Sequence, residues 1–483
     1  MRILLINPPM GNIIATTQPP FIVAEKGSYP PLGLLYIATM IKSKTGHKVK
    51  ILDCQFKRMG YDQIKEEIRK HSPDIVGITL ITSMLMDALK LADIVKECAT
   101  ILRRDITVVG GGPHATIFPN ETIGLKNFDY VFSGEAEFSF LSFVNNIHDP
   151  GSLRNIPGIV FKENGTIVKG PPNYFIEDLD SLPIPDRGLL NYEQYKNLLA
   201  GRGIMTTSIT SRGCPYQCIF CERLGKRFRA ASAGYVIREI EDCLGLGIDE
   251  IFFHDDTFTI DKKRVMEICR LIEEKKLKFK FSLRSRVNTI DEEMIRALKR
   301  AGCRRISFGV ESGVQRILDR IKKDITLKQA EDAFSLSKKY GITTLADFMI
   351  GHPDERVEDI YATLNFAKRL NPDYVQFSIT TPYPATELYK EALSRGILEK
   401  DVWREFSKNP RKDFMPPRWE QNLDREQLAL LLNKCYREFY LRPSFILKMF
   451  LRQRNRTEMT RKAKAGFSLF KNTMLPRWIK IQF

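Results

Sequence analysis

Short apolar runs alternate with amphipathic stretches twice along this chain of 483 residues, and few folds accept that pattern. The first series reads RILLIN, GLLYIATMIKSK, KVKILD, YDQIKEEIRKH, DIVGITL, ALKLADIVKECATILRR, ITVVGGGP and YVFSGEAE. Strand-period and helix-period signals in alternation predict parallel strands joined by crossover helices, here a doubly wound sheet over residues 1–150. Such sheets bind ligands beyond the carboxyl ends of their strands. The loops expected there are Asn7-Pro8-Pro9, Asp53, Thr79 to Thr82, Gly110 to His114 and Ser133 to Glu137.

The pattern then breaks. GIVFKENGTIVKGPP places two β runs around Asn164-Gly165 and predicts a hairpin, because an Asn-Gly pair accepts the positive φ angles of a tight turn. With the Pro-punctuated LDSLPIPDRGLL behind it, this marks residues 151–202 as a linker. From Thr206 the alternation resumes, through SITSRG, EIFFHDDTF, KFSLRSR, RISFGVES, TTLADFMIG and YVQFSITTPYP with helical stretches between. That is six strand–helix units, too few for a closed eightfold barrel, so a partial (β/α)6 barrel is expected over 203–395. A helical, basic region over 396–483 completes an α/β fold.

Composition narrows the class. The chain is 43% hydrophobic and 28% charged, as a globular protein is, and no apolar run reaches the ~18 residues that a membrane span needs. MRILLINPPM reads as a buried first strand rather than a leader, which places the chain in the cytoplasm. Cys54, Cys98, Cys243, Cys269, Cys303 and Cys435 are scattered through apolar or amphipathic stretches and read as small buried hydrophobes, not a disulfide framework. The formal charge of +17 suits an anionic partner without naming one. Much of it is local: from Lys448 to Phe483 ten Lys or Arg face one acid, Glu458, with Phe450, Phe467, Phe470 and Trp478 interspersed. Such a tail either lies on an anionic membrane surface or packs as a solvated helix.

The remaining three cysteines crowd together in SRGCPYQCIFCERLG, where the first barrel strand should end. Their spacing is C-x3-C-x2-C, and a cubane iron-sulfur cluster takes four ligands, so three thiolates leave one iron open. An iron with no protein ligand can chelate a small molecule and pass it an electron. A zinc site would need a second Cys pair or a His downstream, and none follows at a suitable spacing.

This loop resembles the radical SAM superfamily, and the likeness extends over about 205–390. The resemblance implies that Cys214, Cys218 and Cys221 hold a 4Fe-4S cluster, whose open iron binds S-adenosylmethionine and cleaves it to a 5′-deoxyadenosyl radical. It implies S-adenosylmethionine contacts at Phe220, at Asp255 and Asp256 of FFHDDTF, at Glu311 and Ser312 of FGVESG, and at Ile350 and Gly351 of FMIGHPDE. Of the two guanidiniums in FSLRSR, placed on one strand face by alternation, Arg286 fits the family position for a carboxylate partner better than Arg284.

The loop set PPLGLLYIA, GHKVKILD, DIVGIT, VVGGGPHAT and VFSGEAE resembles the cobalamin-binding domain that precedes many radical SAM barrels. It implies cobalamin contacts at Gly110, Gly111, Gly112, His114, Gly134 and Glu135. Thr79, Thr82 and Ser83 either hydrogen-bond the cofactor's nucleotide tail or simply end a strand. Some cobalamin domains carry an Asp-x-His-x-x-Gly motif whose His ligates cobalt; the reading here, Asp53-Cys54-Gln55-Phe56-Lys57, offers no such His. His114 is expected as a contact or a helix-start residue rather than a cobalt ligand. A dinucleotide site would need G-x-G-x-x-G after the first strand, where Asn7-Pro8-Pro9 stands instead.

Together the two resemblances imply an enzyme that methylates an unactivated carbon, with radical cyclisation or rearrangement as the alternative. TPYPAT and YLRPSFILK are similar to the anaerobic oxidative cyclase subgroup, although Ala385 stands where Gly is usual. The implied partners are a small-molecule or lipid-like substrate and a low-potential electron donor of flavodoxin or ferredoxin type, with no nucleic acid.

Overall fold

The computed structural model describes residues 1–14, 29–173, 175–195, 203–222, 225 and 227–451. The basic tail beyond Leu451 lies outside the described residues. Five parallel strands open the chain: β1 (Arg2–Asn7), β2 (Lys48–Asp53), β3 (Ile75–Thr79), β4 (Thr107–Gly111) and β5 (Tyr130–Phe132). They lie in the order β2-β1-β3-β4-β5 with helices between them. Ile3, Leu4, Leu5 and Ile6 are all buried, the mark of a strand covered on both faces. The strand order reverses between β1 and β3, and a doubly wound sheet opens its ligand crevice at that switch point.

The hairpin expected in the linker forms as β6 (Ile159–Glu163) and β7 (Thr166–Lys169), turning on Asn164 and Gly165 with φ of 49° and 79°. It pairs antiparallel with β5, so the first sheet has seven strands and runs past residue 150 into the stretch read as linker.

A second parallel sheet contains β8 (Ile204–Ser208), β11 (Ile248–Phe253), β12 (Lys280–Ser285), β13 (Cys303–Glu311), β14 (Thr343–Ile350) and β15 (Tyr374–Ile379). A two-residue ribbon, β9 (Ser211–Arg212) and β10 (Arg229–Ala230), brackets the loop after β8. The first and last strands of the six do not pair, so the barrel is partial and its concave face is open. Thr344, Ala346, Phe348 and Ile350 of β14 are buried, and the alternate Leu345, Asp347 and Met349 line the concave face. Ser232, Asp261, Asp291 and Thr326 each accept a backbone N–H at the start of the helix they precede, fixing where the crossovers begin.

An edge strand exposes unpaired backbone groups. The helix over Arg425–Tyr440 covers β15, and its Tyr436 hydroxyl accepts from Phe377 N (3.0 Å) and donates to Phe377 O (2.8 Å). Tyr440 repeats the pair on Val375, at 3.0 and 2.7 Å. The match is geometric: four residues of helix advance about 6 Å, and two residues of strand about 6.6 Å. Two tyrosines thus stand in for a neighbouring strand.

The two sheets are tied together by charge and by aromatic packing. Arg187, 1% exposed, pairs with Glu239 at 2.5 Å and donates to Thr206 Oγ1 and Thr207 O, fastening the linker to β8. The Tyr195 hydroxyl donates to Asp53 at the end of β2 (2.5 Å). On the other flank Trp403, Phe406 and Phe414 join the core of the first domain, so the C-terminal region straps that domain to the barrel.

Candidate active site

The cysteine loop begins where β8 ends. Asp255, at the tip of β11, is fully buried and accepts from Thr210 N (2.7 Å), Thr210 Oγ1 (2.7 Å) and Ser211 Oγ (2.6 Å). Burial raises its pKa, and Arg264 together with these donors opposes the rise. The loop is pinned again at Ile219, whose N–H donates to Ile321 O and whose carbonyl accepts from Leu388 N.

Two cations, Arg286 and Lys323, stand near the sulfurs. Arg286 Nη1 lies 3.5 Å from Cys218 Sγ, its guanidinium sits 3.6 Å from the Tyr216 ring centroid, and Nη2 donates to Lys323 O. Lys323 pairs with Glu311 at 2.8 Å and stands 6.0 Å over the Phe220 ring. Glu311 occupies the left-handed region (φ 70°) beside a register shift in β13. For a side chain with a Cβ that conformation stores strain, which clusters at functional sites. Burial, then the neighbouring Cys218, Asp256 and Cys214, push the Cys221 thiol up to about 12, with Lys323 pulling the other way. A thiol must lose its proton to ligate a metal. Among the described residues no three His, Cys, Asp or Glu side chains close to the spacing of a single-ion site. A cubane asks for something else, one thiolate on each of three irons, and the donor set of the loop, three cysteines and no other ligand type, is of that chemistry.

The other expected contacts divide. Asp256 is exposed beside Asp255 and bears on Cys221. Phe220 faces the His352 ring at 6.3 Å. The Ile350 side chain is wholly buried and its carbonyl already accepts from Thr380 N, while Gly351 N donates to Glu355. Ser312 is fully buried against Thr363. Arg284 and Arg286 part company: β12 ends at Ser285, so Arg286 turns in under the cysteines while Arg284 stays exposed on the concave face.

In the first domain the switch-point crevice is built largely from backbone. Asn7 donates to Asp53 (2.8 Å), and Gln55 donates to Asn7 (3.2 Å). Thr82 Oγ1 meets His114 Nδ1 at 3.0 Å; the ring is fully buried in the first turn of the helix Pro113–Ile117, and its Nε2 has no partner among the described residues. Burial lowers the His114 pKa to about 4, so the ring is neutral. Thr79 ends β3, and Ser83 lends its carbonyl to Ile14 N. A Cβ on Gly110 or Gly112 would strike Leu80 at 2.6 or 2.8 Å, so these glycines serve packing inside the protein. At Gly111 a Cβ would meet nothing closer than 4.0 Å, so that residue is not packed in the same way.

Glu135, expected against cobalamin, is turned instead to the domain boundary. It bonds Arg229 at 2.7 and 2.9 Å, accepts from Ile176 N, and lies 3.3 Å from Arg212, which also pairs with Glu137. Gly134 packs its Cα against Asn173, which bonds the carbonyls of Ser133 and Glu135. Sequence reasoning missed Lys323, Tyr216, Tyr29 and His352. Tyr216 and His352 sit inside motifs it had singled out, CPYQC and IGHPDE; nothing around Lys323 or Tyr29 signalled them.

A three-cysteine loop at the mouth of a partial barrel, joined to a doubly wound domain, is the arrangement of a cofactor-dependent enzyme. The Radical SAM superfamily model matches residues 208–367, and the B12 binding domain model matches 21–143. An uncharacterized methyltransferase of Pyrococcus horikoshii is 39% identical over 93% of this chain and 94% of its own length. The anaerobic magnesium-protoporphyrin IX monomethyl ester cyclase of Rubrivivax gelatinosus is 30% identical over 89% and 77%. This chain belongs to the cobalamin-dependent radical SAM enzymes, with a 4Fe-4S cluster, S-adenosylmethionine and cobalamin as its cofactors. Its fold matches that of the cobalamin-dependent S-adenosylmethionine radical enzyme OxsB, with a TM-score of 0.73 at 16% identity over 98% of this chain and 71% of that one.

Proposed function

We propose that this enzyme methylates an unactivated carbon of a small-molecule or lipid-like substrate held between the two domains. The observation that supports the reading is the clamp at Glu135: it joins the carboxyl-end loop of β5 to Arg212 and Arg229, which bracket the cysteine loop, and so ties the two candidate cofactor loops together. The methyltransferase name of the Pyrococcus relative supports methyl transfer. The cyclase relative keeps cyclisation without methyl transfer as a second reading.

Cys214, Cys218 and Cys221 would hold the cluster. Asp256 would meet the methionine ammonium, Phe220 and His352 the adenine, and the Glu311–Lys323 pair the methionine or ribose polar groups. Asp255, Arg286 and Ser312 would act one step back, by fixing the loops that carry those contacts. Gly111, Thr82 and the His114 turn would line the cobalamin tail. Bound there, the cofactors supply a 5′-deoxyadenosyl radical and a transferable methyl group; the chain orients them and keeps water out. Reduction would come from a low-potential flavodoxin or ferredoxin. All nine cysteines are unpaired, which suits a reducing cytoplasmic setting. Among the described residues no helix is long and apolar enough to cross a membrane, and contact with a membrane surface would fall to the basic tail.

Labelled S-adenosylmethionine tests the reading. With the reconstituted enzyme and cell-extract substrates, the labelled methyl is expected in the product and, before turnover, on the bound cobalamin. A converted product without label would contradict methyl transfer and favour the cyclase-type reaction.

A further inference from the structure

Among the described residues around the barrel mouth, Arg212, Arg229, Arg264 and Arg286 are committed to protein partners. Arg212 pairs with Glu137, Arg229 with Glu135, Arg264 donates to Ala231 O and Thr210 O, and Arg286 is folded over Tyr216. Arg284 is exposed on the concave face, and among the described residues no carboxylate comes within ion-pair distance of it. Its guanidinium lies 5.7 Å from the Phe252 ring centroid. Phe252 in turn belongs to a triangle of rings, 5.8 Å from Tyr29 and 5.0 Å from His254, with Tyr29 and His254 6.0 Å apart. Tyr29 comes from the first domain, so both domains build this corner.

Strand alternation explains the placement. Phe281, Leu283 and Ser285 of β12 turn inward to the helices, which leaves Arg284 on the concave side, paired in register with Ser307 of β13. The cysteine loop has its own cation: Lys323 bears on Cys221, whereas Arg284 bears on His254 and Asp256. Burial, then Arg284, lowers the His254 pKa to about 4, so the ring is neutral; the cations of this corner are Arg284 and, beside Tyr29, Arg305, and Asp256 is the carboxylate on which Arg284 bears. An exposed guanidinium beside an aromatic ring is a receptor for a planar or tetrahedral oxyanion, which it can bind bidentately.

We propose that Arg284 anchors an oxyanionic group of the substrate, a carboxylate or a phosphoryl group, while Tyr29 and Phe252 stack the unsaturated or apolar body beside it. The inference rests on the reading of this cavity as the substrate site of a radical SAM enzyme. It gives the substrate a class: a molecule whose reacting carbon lies a fixed distance from an acidic head.

Equilibrium dialysis of labelled benzoate, phenyl phosphate and neutral benzamide against the cluster- and cobalamin-loaded enzyme, with S-adenosylmethionine present, tests this. At least one anion is expected to bind more tightly than benzamide, and the better of the two assigns the headgroup. Arg284→Gln should weaken that anion by about tenfold or more and leave benzamide unchanged, with Arg284→Lys recovering part of the loss. Equal binding of all three probes to wild type, or an anion affinity untouched in Arg284→Gln, would overturn the proposal. So would loss in Arg284→Gln of the change that S-adenosylmethionine makes in the reduced cluster's EPR spectrum, since that would assign Arg284 to the cofactor. If wild-type enzyme itself shows no such change, the radical SAM reading of the site fails, whatever benzoate does.

Discussion

The two cofactor mouths of this enzyme are built on opposite principles. In the barrel, side chains lock side chains: Asp255 holds Thr210 and Ser211, Arg286 holds Tyr216 and the Lys323 carbonyl, and Lys323 holds Glu311. In the first domain the crevice is backbone held close, with Gly110 and Gly112 pressed against Leu80 and Gly111 left open. The difference suits the guests proposed for them. A small cluster and its chelated ligand demand fixed point charges, and a broad corrin with a long tail needs a smooth cradle that admits it.

Substitutions in each mouth sharpen the contrast, and the largest effect is expected at the cluster. Cys218→Ala should abolish the iron-sulfur absorption and 5′-deoxyadenosine formation while the circular dichroism spectrum stays native; retained activity would break the assignment. Asp255→Ala strands three donors around a buried site and should cost about 3–5 kcal/mol, read as a lower denaturant midpoint with reduced iron content. In the other mouth Gly112→Ala must place a Cβ 2.8 Å from Leu80 O at φ 121°, a conformation reserved for glycine. A loss of about 2–4 kcal/mol is expected there, with the cluster spectrum untouched.

The clamp between the mouths responds to pH. Burial raises the Glu135 carboxyl, but Arg229 and Arg212 outweigh it and hold its pKa below the usual carboxylate range. Its contribution is therefore present above the unfolded carboxylate pKa and lost as pH falls through the folded one. Glu135→Gln should cost about 1–3 kcal/mol at neutral pH and nothing at acid pH, as compared in urea melts at both. The smallest effect is at Ala385, exposed and held at φ 63° where the cyclase-like motif has glycine. Ala385→Gly should stabilise by up to about 1 kcal/mol, read as a small rise in Tm.

What the sequence made legible follows the same division. The alternating runs disclosed both parallel sheets, and C-x3-C-x2-C marked the candidate cluster loop, because periodicity and ligand spacing are local properties. Which side of a motif a residue faces is not local. Asp255 and Asp256 are neighbours, yet one is sealed and the other exposed. Glu135 looked like a cofactor contact until Arg212 and Arg229, distant in the chain, claimed it. The hairpin was read correctly as a hairpin, but its attachment to β5 depends on an edge strand that no turn signal announces. Lys323 and Tyr29 act only through tertiary neighbours, so neither stood out.

Three thiolates on a 4Fe-4S cluster leave one iron for S-adenosylmethionine, and EPR of the reduced, reconstituted enzyme with isotopically labelled S-adenosylmethionine reads that iron. A change in the cluster signal on addition, with hyperfine coupling from a labelled methionine carboxylate or amine, is predicted. A spectrum indifferent to S-adenosylmethionine would contradict that assignment.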